Sequence, residues 1–135
     1  MKELSIDAEI KNLGIVTEFI DKHLEEHDCN LKAQMQIDIA IDELFSNIAR
    51  YAYASGIGSA TVRVEIIENP KSAQITFIDS GVPHNPLETE EPDTTLSVDE
   101  REIGGLGIFL VRKTMDEMIY EYKDGQNILI IKKNI

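Results

Sequence analysis

Two segments near the start of the chain carry apolar residues at the spacing of amphipathic helices. Asp7 precedes the first segment as a predicted N-cap, and Asn30 precedes the second. The first apolar stripe consists of Ile10, Leu13, Val16, Ile20 and Leu24. The second consists of Ile37, Ile41, Leu44 and Ile48. Each stripe predicts a helix with one buried face, and a third helix is predicted over about residues 106–115.

Alternating apolar and polar positions predict strands around these helices. In residues 61–67, for example, Val62, Val64 and Ile66 share one face, and Asp124-Gly125 predicts a tight turn near the end of the chain. The predicted strands cover residues 1–6, 61–67, 73–78, 118–123 and 127–132. Because hairpins pair antiparallel, the pattern predicts one α+β domain over residues 1–135, a two-layer sandwich with its helices on one face of the sheet.

A long irregular stretch separates the second hairpin strand from the third helix. Residues 82–103 contain three prolines and seven acidic residues, with Arg101 as their only Lys or Arg. Loops longer than about 12–15 residues are uncommon in compact domains and often cover a functional site. The stretch is therefore predicted to form a lid, with a solvated acidic loop as the alternative.

Composition narrows the class of function. The chain of 135 residues has a formal net charge of −12, which argues against direct binding to nucleic acid. No apolar stretch is long enough to cross a membrane, and the start lacks the form of a signal peptide. A single cysteine, Cys29, excludes an internal disulfide and fits a reducing cytoplasm. The sequence therefore predicts a cytoplasmic protein that binds other proteins or carries its own cation.

Two places along the chain carry polar side chains that could perform chemistry. Glu43 and Asn47 lie four residues apart and share one helix face at the border of the apolar stripe. Asn oxygen can ligate Mg²⁺, and a nearby carboxylate can accept a proton. Asp79 continues the inward parity of its strand, and Gly81 then lets the chain turn. Asp79 is predicted either to bind turn amides or to accept a hydrogen bond from a ligand amine.

Glycines cluster at the predicted start of the third helix. Gly104, Gly105 and Gly107, with Leu106 between them, would bring main-chain amides close to a bulky anion at a helix N-terminus. This cluster is therefore a candidate phosphate-binding segment. Arg101, just before it, is a further candidate for contact with phosphate.

Several other motifs do not support a function. His23-Leu24-Glu25-Glu26-His27 matches the H-x-x-E-H pattern of one class of zinc peptidase, but no third ligand is evident. The chain has no G-x-S-x-G hydrolase motif, no Walker-type phosphate loop and no dinucleotide-binding glycine motif.

In this order, the Glu43–Asn47 segment, the Asp79 segment and the glycine cluster resemble the boxes of the GHKL, or Bergerat-fold, ATPase superfamily. Glu43-Leu44-Phe45-Ser46-Asn47 is similar to its N box, Asp79-Ser80-Gly81-Val82-Pro83 to its adenine box, and Gly104-Gly105-Leu106-Gly107 to its glycine box. Residues 42–53, 104–116 and 120–127 look most like the anti-sigma-factor serine/threonine kinases within it. The resemblance implies a mixed, mostly antiparallel sheet with three helices on one face.

The resemblance also implies roles for these residues. Glu43 would be the general base and Asn47 the Mg²⁺ ligand. Asp79 would read the adenine of ATP, Gly81 would shape the pocket, and the glycine box would bind phosphates. The family phosphorylates a serine of an anti-anti-sigma (STAS-type) partner, often sequesters a sigma factor and usually forms homodimers.

This chain departs from the family pattern at two positions. Pro83 stands where the second glycine of the adenine box is expected, and the last strand, from Asn127, lacks an obvious threonine to contact the nucleotide. The main alternative is a nucleotide-dependent protein-binding switch with little or no kinase activity. A second alternative is the catalytic domain of a histidine kinase.

Overall fold

The computed structural model describes residues 1–53, 56–88 and 105–135. Its strands are β1 (Lys2–Asp7), β2 (Ser59–Ile67), β3 (Ser72–Asp79), β4 (Glu117–Lys123) and β5 (Gln126–Asn134). Its α-helices are α1 (Leu13–Glu26), α2 (Leu31–Asn47) and α3 (Gly105–Thr114). A π-helical turn, Ile48–Ala52, continues α2 directly.

The five strands form one sheet in the order β1-β2-β3-β5-β4, and each neighbouring pair is antiparallel. The predicted α+β fold is confirmed. The prediction of a mixed sheet is sharpened, since all four pairings in the described ranges are antiparallel. In these ranges, no helix has both the length and the apolar character to cross a membrane.

The core lies between the helices and one face of the sheet. Alternation directs Val62 and Val64 of β2 and Ile75 and Phe77 of β3 into it, and all four are almost fully buried. The helices contribute their predicted stripes, which close over this face. The fully buried helical side chains include Val16, Ile20, Leu24, Ile37, Ile41 and Phe45.

The start of the first helix was predicted wrongly. Asp7 does not cap it but ends β1, where it pairs with Ser59 of β2. A short 3₁₀ turn, Ile10–Asn12, follows, and the Asn12 side chain donates to the Asp7 carbonyl at 2.9 Å. Ile10 is consequently 46% exposed and not part of the core. Asn30 does cap α2, since its Oδ1 accepts from the Ala33 amide at 2.8 Å.

Two acids meet between α1 and α2. Asp21 and Asp38 each have a buried Oδ1 that would lack a hydrogen-bond donor among the described residues if both carboxyl groups were ionised. Burial, a hydrogen bond with Asp21, and the charges of Asp21 and Glu25 raise the pKa of Asp38 to about 8. The pair therefore keeps a proton that the unfolded chain releases near pH 4. The free energy of unfolding should fall as the pH rises from about 4 to about 8.

Asp38→Asn should stabilise the protein at pH 8, because an amide replaces the carboxyl that must hold this proton. We expect a gain of about 1–2 kcal/mol in the free energy of unfolding, after allowance for solvent screening. Urea unfolding at pH 5 and pH 8 measures it, and the gain should be much smaller at pH 5. Asp42→Asn, which changes an exposed acid one turn further along α2, is the control. Equal gains at both pH values would contradict the shared proton.

Candidate functional site

A pocket opens between the C-terminal half of α2 and the inner face of the sheet. It is partly open to solvent, and the empty space within it, open solvent included, is about 480 Å³. Leu44, Ile48, Phe77 and Leu129 give it largely apolar walls. Its polar lining includes Asn47, Asp79, His84, Tyr120 and Asn127. A mostly apolar cleft with a few convergent polar groups is the usual form of a small-molecule site.

Asp79 is the acid at the floor of this pocket. It is 6% exposed, at the end of β3, on the same face as Ile75 and Phe77. Its Oδ1 accepts from the Gly81 amide and from Asn127 Nδ2, each at 2.9 Å. Both bonds go to Oδ1, and Oδ2 makes no hydrogen bond to a residue in the described ranges. Asp79 therefore binds a turn amide, which was one of its two predicted roles. Its Oδ2 is also available to accept a hydrogen bond from a ligand.

Gly81 is required where the chain after β3 passes the end of the π-helical turn. A Cβ at this position would overlap the main-chain carbonyl of Ala52. The next residue, Val82, donates its amide to that same carbonyl at 2.8 Å. The glycine thus allows a close backbone contact that builds one wall of the pocket.

Glu43 and Asn47 are joined one turn apart on α2, as their spacing predicted. Asn47 Nδ2 donates to Glu43 Oε1 at 3.4 Å, and this leaves Asn47 Oδ1 to face another partner. Burial raises the pKa of Glu43, and the charge of Asp42 adds to this rise. The hydrogen bond from Asn47 and the charge of Arg50 partly offset the rise. Glu43 is therefore a stronger base than an ordinary glutamate.

The glycine segment begins α3 and touches Glu43. A Cβ on Gly107 would overlap the Glu43 carboxylate, so a side chain at this position would displace that carboxylate from its contact with α3. Gly105, Leu106 and Gly107 lie in the first turn of α3, whose amides have no acceptors within the helix and favour negative charge. Arg101 and Gly104 lie outside the described residues, so their predicted contacts with phosphate stay predictions.

Asn47 connects the two parts of the site. It lines the pocket that Asp79 also lines, and it is hydrogen-bonded to the carboxylate that packs on α3. The structure thus brings Glu43, Asn47, Asp79 and Gly107 together, although they come from three segments of the chain. An asparagine oxygen that lines a pocket suits Mg²⁺, which takes few protein ligands and otherwise binds phosphate and water.

Asn127 is a buried polar residue of the pocket that the sequence interpretation did not assign a role. The family pattern has a threonine on this strand, and Asn127 does not match that pattern. Two signals could have found the residue. Asn127 has the same inward parity as Leu129 and Ile131, and the antiparallel register places it directly opposite Asp79.

The H-x-x-E-H segment has no metal-site geometry. His23 is 7% exposed within the core layer, and His27 Nδ1 is hydrogen-bonded to the His23 carbonyl oxygen at 2.9 Å. Within the ranges that the structure describes, no three His, Cys, Asp or Glu side chains are grouped to hold a metal ion.

Comparisons with known proteins indicate the family of the chain. The family model "Histidine kinase-like ATPase domain" matches residues 6–133. The chain is 24% identical over 100 residues to the serine/threonine-protein kinase BtrW of Bordetella bronchiseptica, covering 74% of this chain and 70% of that protein. It is 24% identical over 130 residues to the anti-sigma F factor of Caldanaerobacter subterraneus, covering 96% and 90%.

Two further matches each cover only 60% of the matched protein. The serine-protein kinase RsbW of Bacillus cereus is 29% identical over 98 residues, which are 70% of this chain and 60% of that protein. Among solved structures, the histidine kinase domain of the Erythrobacter litoralis EL346 blue-light activated histidine kinase superimposes with a TM-score of 0.55 and 12% identity. That match covers 93% of this chain and 60% of that one, and at this identity it shows the fold alone.

Proposed function

Because the chain belongs to the histidine kinase-like ATPase domain family, we propose that it is an ATP-dependent protein-serine kinase of the anti-sigma-factor type. The observation that carries this proposal is the placement of Glu43. Its carboxylate packs on the first turn of α3 and is hydrogen-bonded to Asn47, which also lines the Asp79 pocket. A protein that only bound a nucleotide would not require a base at this position.

In this proposal, most of the site residues bind ATP, and Glu43 transfers a proton. Asp79 accepts a hydrogen bond from the base of ATP, and the first-turn amides of α3 bind its phosphates. Mg²⁺, held in part by Asn47 Oδ1, would neutralise phosphate charge. Glu43 takes the proton of the attacking serine hydroxyl. As that oxygen bonds to the γ-phosphorus, the bond from the γ-phosphorus to the β–γ bridging oxygen breaks and ADP leaves.

The proposed partners follow from the names of the relatives and from charge. Similarity to an anti-sigma F factor and to serine-protein kinases supports a STAS-type anti-anti-sigma substrate and a sigma factor as partners. The homodimer implied by the family resemblance stays a prediction. A net charge of −12 favours protein partners over nucleic acid. The free thiol of Cys29 fits the proposed cytoplasmic location.

Label transfer tests this proposal. The full chain is incubated with Mg²⁺ and ATP carrying ³²P at the γ position, together with an anti-anti-sigma domain encoded near it. We expect acid-stable label on a serine of that domain. ATP binding without any label transfer would instead indicate a nucleotide-dependent binding switch, and acid-labile label on a histidine would indicate a histidine kinase.

A further inference from the structure

Asn127 uses all four of its side-chain hydrogen-bonding positions. Its Nδ2 donates to Asp79 Oδ1 and to the Val82 carbonyl, each at 2.9 Å. Its Oδ1 accepts from the His84 amide at 3.1 Å and from the Tyr120 hydroxyl at 2.5 Å. The side chain is 6% exposed, so few of these bonds could be replaced by water. Asn127 is therefore held in one position by both neighbouring strands and by the segment after β3.

These partners also fix which way the amide points. A flipped amide would bring its NH₂ against the His84 N–H and its oxygen against the Val82 carbonyl oxygen. Only the observed orientation satisfies both main-chain groups. It directs an N–H at Asp79, so Asp79 Oδ1 must act as an acceptor, and the Gly81 amide is its second donor. Because both of these donors point at Oδ1, Oδ2 is the oxygen of Asp79 left to accept a hydrogen bond from a ligand.

We infer that Asn127 is the positioning residue that makes this pocket select a 6-amino purine over a 6-oxo purine. The inference rests on the proposed binding of ATP at Asp79. An exocyclic amine donates to the held carboxylate, whereas a 6-carbonyl would place one acceptor against another and leave both unpaired. Asn127 acts through Asp79 and touches no nucleotide itself.

The Asn127 side chain also connects the pocket wall, residues 82–84, to Asp79 through hydrogen bonds. Val82 and His84 are bonded to Asn127 through a carbonyl and an amide that face opposite ends of its side chain. Loss of the amide would therefore free the Asp79 carboxylate to rotate and also loosen residues 82–84. Either change allows the carboxyl to adapt to a different base, so selectivity should fall more than affinity for ATP.

Calorimetric titration with Mg²⁺-ATP and Mg²⁺-ITP tests the inference, because hypoxanthine differs from adenine by a carbonyl in place of the 6-amine. The wild-type chain should prefer ATP by about 10- to 100-fold. In Asn127→Ala the ratio of the two dissociation constants should fall at least about tenfold. In Asn127→Asp it should fall as well, because a carboxyl group lacks the two N–H donors that hold Asp79 Oδ1 and the Val82 carbonyl.

One variant serves as a control, and circular dichroism checks that it and both Asn127 variants are folded. Asn134→Ala makes the same change at an exposed position of β5 and should keep the wild-type ratio. Full ATP preference in folded Asn127→Ala or Asn127→Asp would overturn the inference.

The outcomes also separate this inference from the proposed function. Wild-type binding of ATP and ITP with equal affinity would overturn the selectivity and leave ATP binding standing. Absence of binding to either nucleotide would overturn both. Selective ATP binding that depends on Asn127, without phosphoryl transfer, would overturn the kinase proposal and support the role of Asn127.

Discussion

A Glu43→Gln variant should bind Mg²⁺-ATP nearly as well as the wild type and transfer phosphate about 10²- to 10⁴-fold more slowly. Glutamine has nearly the same shape, so the contact with Gly107 is kept. Its Oε1 can still accept from Asn47 Nδ2. What it cannot do is take the proton of the serine hydroxyl. The rate of label transfer and a binding titration on the same preparation measure the two effects separately.

An exposed acid next to Glu43 provides the control for this experiment. Asp42→Asn removes an exposed negative charge one residue away and should leave transfer largely intact. Because burial raises the pKa of Glu43, wild-type transfer should decline on acidification with a midpoint above the ordinary glutamate value of about 4.3. Normal transfer by Glu43→Gln would show that another group, or none, acts as the base.

Apolar positions that repeat about every two residues predicted the strands, and those that repeat about every 3.6 residues predicted the helices. Together they were sufficient to predict the fold class. The inward positions of β3 were readable because Ile75, Phe77 and Asp79 keep one parity to the strand end, and all are buried. Likewise Asn30 was identifiable as a cap because its role depends only on residues three positions away. Such features are local, so the sequence alone determines them.

The start of α1 was not predictable in the same way. An acid before an apolar stripe is a good capping signal, yet Asp7 was needed to complete the pairing of β1 with β2. The Ala8 amide continues this contact by donating to the Gly58 carbonyl at 2.8 Å. Pairing with a strand more than fifty residues away is a tertiary effect, and it overrode the local preference.

The reasons for two glycines were likewise hidden from the sequence. Gly81 is needed because the Ala52 carbonyl occupies the space of its Cβ, and a side chain at Gly107 would displace the Glu43 carboxylate. From the sequence, Gly81 was expected to let the chain turn and Gly107 to bring amides close to an anion, and neither packing contact could be predicted. Asn127 was missed for a related reason, since its four partners come from two segments that are distant from it in sequence or on another strand, residues 79–84 and Tyr120.

Asn47→Ala should weaken the binding of Mg²⁺-ATP by about 10- to 100-fold. The structure leaves Asn47 Oδ1 free of Glu43 while Nδ2 is bonded to it, and the side chain lines the pocket. If this oxygen ligates Mg²⁺, the variant should lose the dependence of ATP affinity on Mg²⁺. Titrations with Mg²⁺ and with EDTA, on both proteins, measure that dependence directly.

Asn47→Asp separates metal binding from the contact with Glu43. It keeps an oxygen at the same position but loses the Nδ2 donor, so ATP affinity should stay dependent on Mg²⁺. Asn134→Ala, at an exposed position, should behave as the wild type in both titrations. A wild-type Mg²⁺ dependence in Asn47→Ala would remove this residue as a ligand, and its bond to Glu43 would then be its remaining role, because that bond orients the base.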